Sequence, residues 1–132
     1  MAIASLSSNG YKKTVVVVED DDDFRALVAL ILADPNLELI PAANGQAGLD
    51  AIRAHRPDLV ILDLMLPDMS GWDVFIAMRA ARPSANIPVI ILSSVGTRHD
   101  RSFGLQVAQV HDYVTKPCLP SRLRASVAAA LG

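Results

Sequence analysis

Residues 15–24 read VVVVEDDDDF, four valines followed by five carboxylates. The β-branched run calls for burial, and the acidic run calls for water or a cation. Strand-like runs recur down the chain and end on polar groups, two of them apolar throughout and the last a short one. LVIL at 59–62 leads into Asp63, VIIL at 89–92 leads into Ser93 and Ser94, and DYVTK at 112–116 ends in Lys116. A weaker run, LELIPAA at 37–43, contains Pro41, which suits an edge strand better than a central one.

Helical patterns lie between these runs. They are DFRALVALILAD at 23–34, NGQAGLDAIRAH at 44–55, GWDVFIAMRAA at 71–81, TRHDRSFGLQVAQ at 97–109 and LPSRLRASVAAAL at 119–131. Asn44 is placed to cap the second, Pro83 lies just beyond the third, Gly104 weakens the fourth and Pro120 opens the last. Five strands therefore alternate with five helices. Strands that are apolar at consecutive positions are covered on both faces. Together the two features predict a parallel, doubly wound sheet. Ligands of such sheets bind outside the carboxyl ends of the strands, which is where the acidic run falls.

The bulk composition sets limits. The 132 residues fit one domain, and 52% hydrophobic residues with only 5% aromatic make the core aliphatic. A formal net charge of -2 argues against a dedicated nucleic-acid or membrane-surface binder. The single cysteine, Cys118, excludes an internal disulfide and fits a reducing compartment. No apolar run approaches the roughly 20 residues of a membrane span, and MAIASLSSNG lacks the order of a signal peptide. A cytoplasmic domain over residues 14–132, behind a loose tail over 1–13, is the expectation.

The rim collects three kinds of chemistry. Glu19, Asp20 and Asp21 follow the first strand, Asp63 the third, Ser93 the fourth, and Lys116 with Pro117 the fifth. Close carboxylates repel unless a cation compensates them. A pocket of hard oxygens with two or three carboxylates and room for water suits magnesium. A hydroxyl and an ammonium could then hold phosphoryl oxygens.

VVVVEDD, PDLVILDLMLPDMSGWDV, VIILSS and DYVTKP, in this order and spacing, resemble the receiver domain of two-component response regulators. The resemblance runs from Thr14 to Leu131. It implies a flavodoxin-like sheet of order 2-1-3-4-5 with five helices, phosphorylated by a histidine kinase or phosphotransfer protein. By position it makes Asp63 the phosphoacceptor. Glu19, Asp20, Asp63 and the backbone carbonyl of Met65 become the magnesium set, with Asp20 a more direct ligand than Glu19. Lys116 is implied as the partner of Asp63 and then of the phosphoryl group, and Pro117 as a residue often preceded by a cis bond. Ser93 and Tyr113 are implied as the switch pair: Ser93 moves inward on phosphorylation and leaves space that Tyr113 fills. The outer face near the fourth and fifth helices would then signal to an output domain or partner protein. Such a domain is a switch that assists its own phosphorylation and dephosphorylation, and does not itself bind nucleic acid. A homodimer through this face is a further implication, although Ser126 stands where regulators with DNA-binding outputs commonly carry a basic interface residue.

Two departures fall near that face. Cys118 replaces the usual phenylalanine, and AQVHDY replaces a glycine-containing turn, with Gln109 where glycine is common. Simpler roles suit several neighbours. Asp22 and Asp23 read as helix-capping charge, Asp68 and Ser70 as turn formers, Trp72 as a packing residue on the following helix, and Cys118 as core filler. His55, His99 and His111 lack metal-ligand spacing. Other functions fit less well. A phosphatase of the haloacid dehalogenase type needs an acid where Met65 stands, and the carboxylates would repel the phosphate of a flavin-type cofactor. A receiver-fold interaction module that does not use phosphorylation remains the closest alternative.

Overall fold

The computed structural model describes residues 12–132. Most of the segment read as a tail lies outside them, and Lys13 already belongs to the first strand. The strands are β1 Lys13–Val18, β2 Leu37–Ala42, β3 Leu59–Leu62, β4 Val89–Ser93 and β5 Asp112–Thr115. The helices are α1 Asp22–Ile31, α2 Gly45–His55, α3 Gly71–Ala80, α4 Arg98–Ser102 and α5 Pro120–Leu131. All pairings are parallel and the sheet order is β2-β1-β3-β4-β5, the flavodoxin-like arrangement. β2 is an edge strand, so Pro41 interrupts no central ladder.

The valine run explains itself in this setting. Val16 and Val18 join Val60, Leu62 and Ile91 under Leu49, Ile52, Val74 and Met78 of α2 and α3. Val15 and Val17 join Leu59, Ile61 and Leu92 under Val28 of α1 and Leu123 and Val127 of α5. Side chains alternate between the two faces of a strand, so only an unbroken apolar run can fill both layers. Cys118 packs with the second cluster, and burial pushes its thiol up, as suits a filler rather than a nucleophile. No helix among the described residues is long and apolar enough to cross a membrane.

Capping sets where each helix starts. Asp21 accepts from the amides of Asp23 and Phe24 at 3.0 and 3.1 Å, and Asn44 accepts from Ala47 at 2.8 Å. Ser70 and Asp73 form a capping box at the start of α3. The fourth helix departs most from its sequence pattern. α4 proper has five residues, and the chain then widens into a π-helical turn over Phe103–Val107. Gln109, at the end of that segment, has a φ of 57°. A side chain in this left-handed region costs about 1–2 kcal/mol, which is why glycine suits the position.

Asp112 ties β5 to α5. Its carboxylate accepts from Arg122 at 2.6 and 3.0 Å and from the Ser126 hydroxyl at 2.7 Å. Ser126 is buried, so it faces this contact and not a neighbouring molecule. Burial alone would raise the acid, but the Arg122 and Ser126 hydrogen bonds outweigh it and hold its pKa at about 2. The folded value lies below the ordinary 3.8, so the stabilisation is full above pH 4 and fades as pH falls toward 2. The Arg122 side chain is 43% exposed, so water screens the pair. Asp112→Asn should cost about 1 kcal/mol at pH 7. In urea unfolding the deficit should shrink as pH drops from 4 to 2, and a deficit independent of pH would contradict this assignment.

Candidate functional site

The carboxyl ends of β1, β3 and β5 bring Glu19, Asp63 and Lys116 together. Glu19 and Asp63 are only 3% and 5% exposed, an uncommon state for carboxylates. The Lys116 ammonium answers both: it donates to Glu19 Oε1 and, at 3.1 Å, to Asp63 Oδ2. Its nitrogen also lies 4.3 Å from the ring centroid of Phe24, a cation–π contact from α1. Lys116 is followed by Pro117 through a cis peptide bond. Burial would depress the lysine, yet its hydrogen bonds to the two acids raise it above the ordinary value. Glu19 responds the other way. Desolvation outweighs the Lys116 hydrogen bond and lifts its pKa from 4.5 to about 7. Glu19 is thus a reluctant anion, held by the Lys116 ammonium and, through Oε2, by the Asp21 amide at 3.2 Å.

Asp20 differs from its neighbour. It is exposed and has no ion-pair partner among the described residues. Glu19, Asp20 and Asp63 nevertheless each offer a carboxylate oxygen within 4.8 Å of the others. Asp21, adjacent in sequence, is engaged in capping α1. The acidic block therefore splits between two roles, its first two residues facing the pocket and the next three starting a helix.

Asp63 is held by its backbone. Its amide donates to the Val18 carbonyl at 3.1 Å, and its Oδ1 accepts from the Met65 amide at 3.1 Å. The following chain folds back on itself, with Gly71 N–H donating to Leu64 at 2.9 Å and Met65 bridging Ser70. Gly71 sits so close that a Cβ there would fall on the Asp63 carbonyl and the Leu64 backbone.

Ser93 is fully buried at the end of β4, and its hydroxyl accepts from the Val95 amide at 3.3 Å. Tyr113 is fully buried as well. Its hydroxyl donates to the Val95 carbonyl, and its ring lies where a side chain on Gly104 would sit. The family resemblance has Tyr113 filling vacated space after a trigger; in this structure the ring is fully buried against Gly104. Three neighbours carry no signal in the sequence. Phe24 lies under Lys116, and Arg25 donates to the Glu19 carbonyl at 2.8 Å. Arg101 donates to the Tyr113 carbonyl and the Thr115 hydroxyl, both at 3.0 Å, with its guanidinium 5.6 Å from the Tyr113 ring centroid. All three act on partners that short-range patterns do not reveal. Trp72 packs edge-on against Phe75 of its own helix and also against Phe103 beyond α4.

Comparison with known proteins shows the family. The family model described as "Response regulator receiver domain" matches residues 15–128. This chain belongs to the response regulator receiver family. Among its relatives, the probable transcriptional regulatory protein TcrX of Mycobacterium tuberculosis is 39% identical over 83% of this chain and 46% of its own length. The phosphate regulon transcriptional regulatory protein PhoB of Pseudomonas aeruginosa is 34% identical over 90% of this chain and 52% of its own length. The chain thus spans about half the length of these curated relatives. A CheY-like receiver domain protein from Methanospirillum hungatei superposes with a TM-score of 0.80 at 26% identity, covering 91% of this chain and 94% of that one. The receiver domain of Francisella response regulator 1452 gives 0.82 at 25%, covering 91% and 97%. Fold and family therefore agree.

The backbone of this receiver generates a test at Gly71. Gly71→Ala forces a methyl against main chain that cannot rotate away, at a cost of about 1–3 kcal/mol. Urea unfolding should register that loss, and amide shifts should move at Asp63 and Leu64. Parental stability with unmoved Asp63 resonances would show that the close approach is not a constraint.

Proposed function

We propose that this domain takes a phosphoryl group onto Asp63, from a histidine kinase or a phosphotransfer protein, in a magnesium-dependent reaction. The observation that carries the reading is the buried Asp63 carboxylate paired with Lys116 at 3.1 Å, beside Glu19 and Asp20 within 4.8 Å. An oxygen of Asp63 attacks the donor phosphorus. The bond from phosphorus to the donor nitrogen breaks, its electron pair stays on the imidazole, and Asp63 becomes an acyl phosphate.

The residues fit magnesium. Asp20 is exposed and uncommitted, Asp63 is turned into the pocket, and the Met65 carbonyl follows two residues on. Glu19 is engaged by Lys116, so it is better suited to hold a metal-bound water than to bind the ion itself. Bound there, magnesium supplies positive charge that offsets the acids and the phosphoryl oxygens. Lys116 would release part of its hold on Asp63 and engage a phosphoryl oxygen. The Ser93 hydroxyl, which now only accepts from Val95, has its proton to donate to another.

The same residues give the domain an output. Engagement of Ser93 and Lys116 would favour the inward packing of Tyr113 and bias the face formed by α4, β5 and α5. That face would report to an output domain or a partner protein, with the kinase and the domain both at work in the cytoplasm. This makes the chain a switch that assists its own phosphorylation and dephosphorylation, without direct nucleic-acid contact of its own. Ser126, turned inward onto Asp112, offers no basic side chain to a homodimer.

Labelling with acetyl phosphate tests the reading. The parent should label only with a divalent cation, and Asp63→Asn should not label. At limiting magnesium, Asp20→Asn should lose more than Glu19→Gln. A mutant at Asp63 that labels like the parent would overturn the nucleophile, and a parent that never labels would favour an interaction module that does not use phosphorylation.

A further inference from the structure

The loop between β3 and α3 carries Met65 at its base and Asp68 at its tip. The base is closed by the Gly71 to Leu64 hydrogen bond and the Met65–Ser70 bridge. The tip reaches another part of the molecule altogether. Asp68 Oδ1 accepts from the Gly45 amide at 2.8 Å and Oδ2 accepts from the Gln46 amide at 2.9 Å. These are the first two amides of α2, which no intrahelical carbonyl can reach. Asn44 supplies the usual cap one step further on, at Ala47. One exposed carboxylate, 23 residues from Gly45, therefore completes the cap of α2. Hydrogen bonds from Gln46 and Gly45 hold it below the usual carboxylate range.

A second contact makes the docking tight. A Cβ on Gly45 would fall on the Met69 side chain, so the thioether lies directly on the helix's first residue. Met69 also packs against the core cluster beneath α2 and α3. A closed loop pinned at its tip cannot swing about its base. Met65 lies at that base, two residues from Asp63, so the way the loop is held sets where its backbone stands.

We propose that Asp68 is a positioning residue of the phosphoacceptor site: by fastening the loop tip to the start of α2, it fixes the Met65 carbonyl beside Asp63 and couples the metal site to α2. The inference rests on the reading of that site as a magnesium-dependent phosphoacceptor. Coupling of this kind is reciprocal. If Asp68 holds the carbonyl for the ion, the ion in turn holds α2.

Two readouts on the full chain test it, neither of them activity. Magnesium affinity is followed by Trp72 fluorescence, and hydrogen exchange is followed at the amides of Gly45, Gln46 and Ala47. In the parent, magnesium should slow exchange at these amides. Asp68→Ala should weaken magnesium about fivefold or more and abolish the magnesium effect on exchange. Asp68→Asn keeps an acceptor oxygen and should fall between the two, and it carries the comparison if the alanine variant does not fold. Faster exchange in α2 with parental magnesium affinity would reduce Asp68 to a helix cap and overturn the proposal. Magnesium binding to the parent that is absent, or unmoved by Asp20→Asn, would instead overturn the underlying reading and the inference with it.

Discussion

The Lys116 ammonium, reaching across the sheet from the end of β5, holds two buried carboxylates that come from β1 and β3. Without it, desolvation would weigh heavily on both Asp63 and Glu19. Burial already lifts Glu19 to about 7, against the pull of the lysine. The cation is itself fastened by the Phe24 ring and by the β5 backbone, where Lys116 N–H donates to the Ser93 carbonyl at 2.9 Å. The pocket therefore gathers acidic side chains at the strand ends around a single ammonium.

Around this centre the fold acts in two directions. Toward α2, the loop after Asp63 is closed by Gly71 and docked by Asp68 and Met69. Toward α4, Ser93 leads through Val95 to the Tyr113 hydroxyl, and Arg101 grips the β5 backbone on the far side. The short α4 and its π-helical turn give Tyr113 room through Gly104, where any side chain would meet the ring. Both routes start within a residue or two of a strand end.

The sheet was legible because its central strands had to be apolar on two faces, and Val15–Val18 could satisfy that only as an unbroken run. Asp63 and Ser93 could be placed at strand ends for the same reason, each being the polar residue that ends such a run, whereas Lys116 was placed by the short DYVTKP segment. Asn44 was readable as a cap because capping is local. Long-range partners were not readable. Asp68 looked like a turn residue, and nothing near it in the chain points to Gly45. Asp21 could not be separated from Glu19 and Asp20, since helix entry and pocket lie within three residues. The π-helical turn follows no periodicity in the chain, whereas the left-handed Gln109 stands where glycine is common, the residue its φ favours. Ser126 aligns with an interface position, but its hydroxyl is committed to Asp112, and sequence alone does not show which way it turns.

Whether one lysine sustains the buried acid pair can be measured directly. Carbon-13 NMR of the Glu19 side chain, in metal-free protein, should give a titration midpoint near 7 rather than the ordinary 4.5. Because the folded value is the higher one, Glu19 contributes stability that is present below 4.5 and lost as pH rises through 7. Lys116→Met removes the hydrogen bond that holds the value down, so the midpoint should move higher still. A Glu19 midpoint near 4.5 in both proteins would contradict the account, because it would mean that the acid is neither desolvated nor answered by Lys116.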